Sequence, residues 1–322
     1  MKLEKDIEAM FDAELSLHLR AWEHYSRLPG VLKRRLTAGE ADLEIHFNPG
    51  RVRSVMANVD AASLSSRKCF LCPDGLGPEQ LTTSWRSEKG NDYWLRVNPF
   101  PIFNKHFTLS AAFHTRQSFE GRCGDMLEFC SQLPSYVLFY NGPSCGASAP
   151  DHFHFQAFPK GHLPVEKIVA EKDFKILKET PDAVVGEIDR YMRGAYAIVA
   201  KSPEAAEDWF DFIISQAPGH CSEEWEPRLN LMAWSTSSGG CIMLIFFRRE
   251  SRSHTFEADE NGRRLLISPG SVEMAGIMLT SDRNTFETIS NLEIAGILSE
   301  VSLDSFQAER INNSIYERSA GN

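Results

Sequence analysis

Residues 151–157 read Asp-His-Phe-His-Phe-Gln-Ala, which places two histidines and a glutamine at every second position. A neutral imidazole nitrogen is both a nucleophile and a metal ligand near pH 7. A glutamine amide can hold an oxyanion but cannot pass on a proton. With ten histidines in 322 residues, this spacing is not a product of composition. Successive side chains of a strand point to opposite faces. His152, His154 and Gln156 therefore look to one side, and Phe153, Phe155 and Ala157 fill the other. A half-exposed strand with incidental histidines is the rival reading. It suits a lone histidine better than a triplet that follows the small-residue loop Pro-Ser-Cys-Gly-Ala-Ser-Ala-Pro at 143–150.

Other residues bear chemistry with less pattern around them. Cys69 and Cys72 form a Cys-x-x-Cys, which is half of a metal site or two ordinary packed cysteines. Arg51 and Arg53 follow the Asn48-Pro49-Gly50 turn, two apart, and either face a polyphosphate together or are solvated. Lys160, Arg248 and Arg249 end strands that align with one another, with the same two readings. Cys145 borders the loop without a base beside it in sequence, so packing is its expected role. His162 and His254 have no such context and read as surface residues.

The elements that must carry these residues follow from periodicity. Residues 1–30 read as one amphipathic helix, with Ile7, Met10, Phe11, Leu15, Leu19 and Trp22 at helical spacing and Leu28-Pro29-Gly30 ending it. "LEIHFNPGRV" reads as a strand and a turn, and the Cys-x-x-Cys lies in a loop. Then come the strands "DYWLRVNPFPIF" and "HFTLSAAFH", the helix "GDMLEFCSQL", and the strands "YVLFYNG" and "DHFHFQAF". The connections are short enough for an antiparallel sheet. The second half repeats this order. It has the strand "GAYAIVAK", a helix capped by Ser202 with Pro203 at its first position, then "RLNLMAWS" and "CIMLIFFRR". Laid under "HFHFQAFPK", the last strand puts Cys241 below His152, Met243 below His154 and Ile245 below Gln156. The expected class is α+β, two similar halves each built of an antiparallel sheet with flanking helices.

Composition narrows the partners. A formal charge of -10 supplies no basic excess to displace counterions from a nucleic acid, so none is expected. A small phosphorylated ligand remains compatible, because a few arginines and backbone N–H groups suffice to hold it. The amino-terminal stretch is too charged for a signal peptide. The longest strongly apolar run, "CIMLIFF", is too short to span a membrane. Seven cysteines with scattered spacing suit a reduced, cytoplasmic setting.

The run "NGPSCGASAPDHFHFQ" resembles the signature of the histidine-triad superfamily, in the branch of galactose-1-phosphate uridylyltransferases, dinucleoside-polyphosphate phosphorylases and nucleotide-sugar phosphorylases. "KCFLCP" is similar to the Cys-x-x-Cys of zinc-binding members, and "HFTLSAAFH" to their hairpin strand with a histidine at each end. The likeness is clear over 43–165 and looser beyond, and the texture is nearest to an uncharacterised bacterial branch. It implies two histidine-triad-like halves, 1–170 catalytic and 171–322 degenerate. It also implies that the second histidine of the motif, His154, attacks the α-phosphorus of a nucleotide. Gln156, the loop groups around Gly146, Ala147 and Ser148, and Asn141 would hold the phosphoryl oxygens, with Arg51, Arg53 and Lys160 as further phosphate partners. Cys69, Cys72, His114 and His152 would bind a structural zinc.

A glutamine where the hydrolases of that superfamily carry a third histidine favours transfer between phosphates over hydrolysis. The implied substrates are a nucleotide sugar or dinucleoside polyphosphate as donor and phosphate or a sugar 1-phosphate as acceptor. Hydrolysis, or nucleotide binding without turnover, are the alternatives. Superfamily members are often dimers, so a homodimer is an expectation of the resemblance alone.

Overall fold

A computed structural model of the chain describes residues 1–52, 61–75, 80–190, 194–218 and 226–319. Its strands are β1 (Leu32–Ala38), β2 (Ala41–Phe47), β3 (Thr83–Arg86), β4 (Asp92–Val97), β5 (Phe107–Ala111), β6 (Tyr136–Asn141) and β7 (His154–Pro159). Then follow β8 (Lys175–Glu179), β9 (Ala183–Glu187), β10 (Ala195–Ala200), β11 (Leu229–Ser235), β12 (Cys241–Phe247) and β13 (Ile277–Thr280). Ten of them form one sheet in the order β3-β4-β5-β7-β6-β11-β12-β10-β9-β8, every pair antiparallel, and β1-β2-β13 form a second, smaller sheet. The chain is thus α+β, as its sequence indicates.

The large sheet is wired twice in the same way. The order β4-β5-β7-β6 has the helix Cys123–Gln132 between β5 and β6, and β9-β10-β12-β11 has the helix Pro203–Ser215 between β10 and β11. The two runs join where β6 pairs with β11, Asn141 opposite Asn230 through Leu138 opposite Ala233. Ser202 caps the second helix by accepting from the Ala205 N–H, which fixes where the coil ends and the helix begins.

Alternation decides which face each side chain serves. On one face of the sheet Phe107, Leu109, Phe153, Phe155, Met243 and Ile245 are buried under the helices Lys2–Leu17, Cys123–Gln132, Pro203–Ser215 and Ser305–Glu317. On the other, Phe139, Phe158, Met232, Leu244 and Phe246 pack with β1, β2 and the helix Asn291–Val301. His154 and Gln156 alternate with the first set and so lie on the second face. Burying each phenylalanine contributes roughly 1.5–3 kcal/mol, so the Phe153/Phe155 side fixes the register that turns His154 the other way.

Two sequence expectations change. The amino-terminal helix is not continuous: it breaks at His18, whose backbone is extended, and a second helix runs from Leu19 to Ser26. The break redirects the chain so that Tyr25 is buried and its hydroxyl donates to the carbonyls of Asn98 and His106. Leu19 and Trp22, expected in the core, are exposed. The alignment of β12 with β7 is also off by one residue. Cys241, Met243 and Ile245 share the face of Phe153 and Phe155, so Ile242, Leu244 and Phe246 stand on the face of His154 and Gln156. A shift of one residue exchanges the two faces of a strand.

Candidate active site

The motif strand begins at His154 and not before it. His152 lies in the preceding bend, its N–H donating to Ala149 O at 3.2 Å. Gln117 bridges the place where β6 and β7 separate. Its amide donates to Asn141 O at 2.9 Å and His154 O at 3.1 Å, while its Oε1 accepts from the His154 N–H at 2.8 Å. This buried glutamine closes the gap through which the loop 142–150 leaves and returns. Gly142 N and Asn230 Nδ2 tie that loop to β11, the first donating to Leu229 O and the second to Cys145 O. Gly146, with φ of 93°, makes the turn; a Cβ there would meet Gly270 Cα at 2.9 Å.

His154 is 4% exposed, and burial is the main reason that its pKa falls to about 4, so it is neutral at pH 7. Its Nδ1 donates to His152 O at 2.9 Å, which fixes the tautomer and leaves the Nε2 lone pair without a protein hydrogen bond. Nε2 opens on a cavity of about 950 Å³, within the range of small-molecule sites. Asn141, Gly146, Ala147, Ser148, Gln156 and Arg51 line the same cavity.

The structure thus brings together His154, Gln156, the loop residues and Arg51. It leaves Lys160 out: the ammonium is turned away, donating to Ser235 O at 2.5 Å at the end of β11. Arg53 lies outside the described residues. Arg51 is half-buried, donates to Phe100 O, and has its pKa lowered by burial to about 10, which keeps it charged. Arg248 is not a phosphate partner either. It is buried and donates to Asn230 Oδ1 at 2.7 Å and Pro269 O at 3.0 Å, bracing the asparagine that holds the loop. Arg249 donates to Glu300 O, away from the cavity.

Residues that sequence reasoning missed hold Gln156. His106 is fully buried, and burial with the nearby Arg51 charge lowers its pKa to about 3. Its Nδ1 accepts from the Ile102 N–H at 3.2 Å, so its Nε2 carries the proton and donates to Gln156 Oε1 at 3.0 Å. Asn98 Nδ2 donates to the same oxygen at 3.3 Å. With Oε1 occupied by two donors, the Gln156 amide presents its NH2 group to the cavity. Asn141 is fixed alike, its Oδ1 accepting from Asn230 Nδ2, Ser271 N and Ser271 Oγ within 2.7–2.9 Å.

Cys69, Cys72, His114 and His152 converge at one side, every ligand atom within 4.8 Å of the others. Their S–N separations are 3.3 Å (Cys69–His152), 3.2 Å (Cys72–His114) and 3.3 Å (Cys72–His152). A tetrahedral zinc with ordinary bond lengths sets such edges at about 3.5 Å. His152 Nε2 donates to Ala111 O at 2.8 Å, so the bare nitrogen is the Nδ1 that faces the sulfurs. Two sulfurs and two imidazoles at this spacing fit a closed metal site.

Residues 10–159 match a sequence family described as Domain of unknown function (DUF4922). No curated protein matches the sequence. The crystal structure of yeast Ap4A phosphorylase Apa2 superposes over 93% of this chain and 94% of its own, with a TM-score of 0.58 at 17% identity. The same yeast enzyme in complex with Ap4A superposes over 94% and 97%, with a TM-score of 0.58 at 14% identity. Its complex with AMP covers 90% and 96%, with a TM-score of 0.55 at 15% identity. The chain therefore has that fold along nearly its whole length. No helix among the described residues is long and apolar enough to cross a membrane.

Proposed function

We propose that the protein is a nucleotidyltransferase that passes a nucleoside monophosphate through His154, from a nucleotide sugar or dinucleoside polyphosphate to phosphate or a sugar 1-phosphate. The observation that carries this reading is the state of His154: neutral, its tautomer fixed, and its free Nε2 opening on a cavity of about 950 Å³. The fold shared with an Ap4A phosphorylase supports the donor class.

In the first half-reaction the Nε2 lone pair forms a P–N bond to the α-phosphorus. The bond from that phosphorus to the leaving oxygen breaks, and its electron pair departs with the leaving phosphate. The proton on Nδ1 stays on its bond to His152 O, which stabilises the positive charge that the ring gains. An acceptor phosphate oxygen then attacks the same phosphorus, and the P–N electrons return to Nε2. The Gln156 NH2, Ser148 and the loop N–H groups donate to the non-bridging oxygens where charge accumulates. No proton donor stands where Gln156 is, which suits a phosphate leaving group of low pKa and disfavours release to water.

Cys69, Cys72, His114 and His152 would hold a structural zinc. It would clamp the Cys-x-x-Cys turn to the bend before His154, and a closed four-ligand site leaves no position for substrate. The second wiring of the sheet, with Leu244 and Phe246 buried where the first has His154 and Gln156, reads as a copy that has kept the scaffold and lost the chemistry.

The test is intact-protein mass spectrometry after brief incubation with nucleotide sugars and dinucleoside polyphosphates, without acceptor. An acid-labile adduct of one nucleoside monophosphate in the wild type, absent in His154→Ala, is expected, and its mass names the base. An adduct that persists in His154→Ala refutes the nucleophile. Free monophosphate formed without acceptor points to a hydrolase. Nucleotide binding that is equal in both proteins, with neither adduct nor turnover, points to a sensor.

A further inference from the structure

Arg96 on β4 stands opposite Thr108 on β5, and Thr108 stands opposite Gln156 on β7. The three share the cavity face of the sheet, with Arg96 two strand spacings, about 10 Å, from Gln156 along the hydrogen-bonding direction. The next row holds Trp94, Ser110 and His154. Arg96 is 4% exposed and lines the cavity. Its Nε donates to Thr82 Oγ1 at 3.0 Å, and its Nη1 to Leu71 O at 3.1 Å and Ser110 Oγ at 3.4 Å. The guanidinium carbon lies 4.7 Å from the Trp94 ring centroid. Among the described residues no carboxylate pairs with Arg96, and its Nη2 has no protein hydrogen bond.

A guanidinium this buried usually faces a carboxylate, because an uncompensated buried charge is costly. Here three donors are fixed by neutral oxygens, Cys72 is the titrating group whose charge acts on the guanidinium, and Nη2 is left over in a residue that lines the cavity. A planar, preset fork of this kind matches a phosphate. We propose that Arg96 is a substrate-binding residue that grips the phosphate on the far side of the α-phosphorus, the one that leaves with the donor's second product and arrives as acceptor. The assignment rests on the transfer reading for the identity of that phosphate, and on the site's geometry alone for the presence of an anion subsite. Its distance from His154, one row and two strands away, places it beyond the phosphoryl group that Gln156 and the loop hold.

A purely structural role is the rival, because the bond to Leu71 O also steadies the Cys-x-x-Cys turn. Binding of inorganic tripolyphosphate, followed by calorimetry in wild type, Arg96→Gln and Arg96→Lys, separates the two. Zinc content and melting temperature are recorded for each protein. Wild type should bind tripolyphosphate. Arg96→Gln should bind at least about tenfold more weakly with its zinc retained, and Arg96→Lys should fall between, since it keeps the charge and loses the fork. Wild-type affinity in either folded variant, or no binding by the wild type, overturns the proposal. If Arg96→Gln does not fold, Arg96→Lys alone decides. Tripolyphosphate binding requires no group transfer. Arg96-dependent binding without any nucleotidyl adduct would therefore refute the transfer reading and leave this one standing, and an adduct with Arg96-independent binding would do the reverse.

Discussion

His106 Nε2 lies 3.0 Å from Gln156 Oε1, and together with the Asn98 donor this bond turns the NH2 end of the glutamine amide to the cavity. An unheld glutamine presents its oxygen as readily as its nitrogen, and the oxygen repels phosphate. His106 is therefore a positioning residue. Gln156→Ala should lower the rate of adduct formation by about a hundredfold. His106→Phe, which removes the donor and keeps a ring in the space, should lower it by about tenfold, the worth of one hydrogen bond. The double variant should be no slower than Gln156→Ala alone, because His106 acts only through Gln156. Additive losses in single-turnover rates would show that it does not.

The buried histidines give the protein a defined response to acid. Burial, the largest cause in both, holds His154 at about 4 and His106 at about 3, against about 6.5 in an unfolded chain. Between about pH 6.5 and 4 the unfolded state thus binds more protons than the native state. Stability from these groups is fully present above about pH 6.5 and falls as pH is lowered through that window. The expected slope is at most about 1.4 kcal/mol per pH unit for each histidine. Urea unfolding at a series of pH values should show it, with a flatter profile in His106→Phe. The single-turnover rate should stay level from about pH 8 to 5, because His154 is already unprotonated there. A limb centred near 6.5 would mean that its ring titrates as if in water.

The metal cluster predicts about one zinc per chain by elemental analysis, and none in Cys69→Ser/Cys72→Ser. Chelation should lower the melting temperature, because the clamp joins the turn at residues 69–72 to the bend at His152. A metal-free wild type with an unchanged melting temperature would identify these four residues as ordinary packing.

Gly146→Ala tests the loop. A φ of 93° is a region that costs a non-glycine residue about 1–2 kcal/mol, and the added methyl would also meet Gly270 Cα at 2.9 Å. The variant should be less stable by at least that amount in urea. It should also form adduct more slowly, since the N–H groups of Ala147 and Ser148 move with the turn.

Part of this was legible in the chain. The alternation of His152, His154 and Gln156 with phenylalanines is a period-two signal confined to seven residues, and the Cys69/Cys72 pair is closer still. The groups that make the site work leave no such signal. Gln117, His106 and Arg96 act across strands 37 to 60 residues from the side chains that they serve; Gln117 and Arg96 look like unremarkable polar residues in sequence, and His106 shows only as one end of the hairpin strand, not as the partner of Gln156. The break at His18 was hidden because the apolar spacing continues through it, although Leu19 and Trp22 end in solvent. The one-residue slip between β7 and β12 has another cause. Both faces of β12 are buried and apolar, so the pattern that normally fixes a register is missing.

The seam between β6 and β11 sets the terms on which this chain can change. Asn230 and Arg248, far along the chain, hold Asn141 and the loop beside His154 in place. On the transfer reading a second copy freed from chemistry would ordinarily drift, yet these two side chains cannot be lost without loosening the loop beside His154. The same dependence denies the first 170 residues a life of their own. Severed from the rest, they would expose the bare edge of β6 along with a loop that has lost its anchor. On the transfer reading such a fragment would be inactive until the missing piece was supplied in trans, and a gene divided at that point would encode a complementation pair.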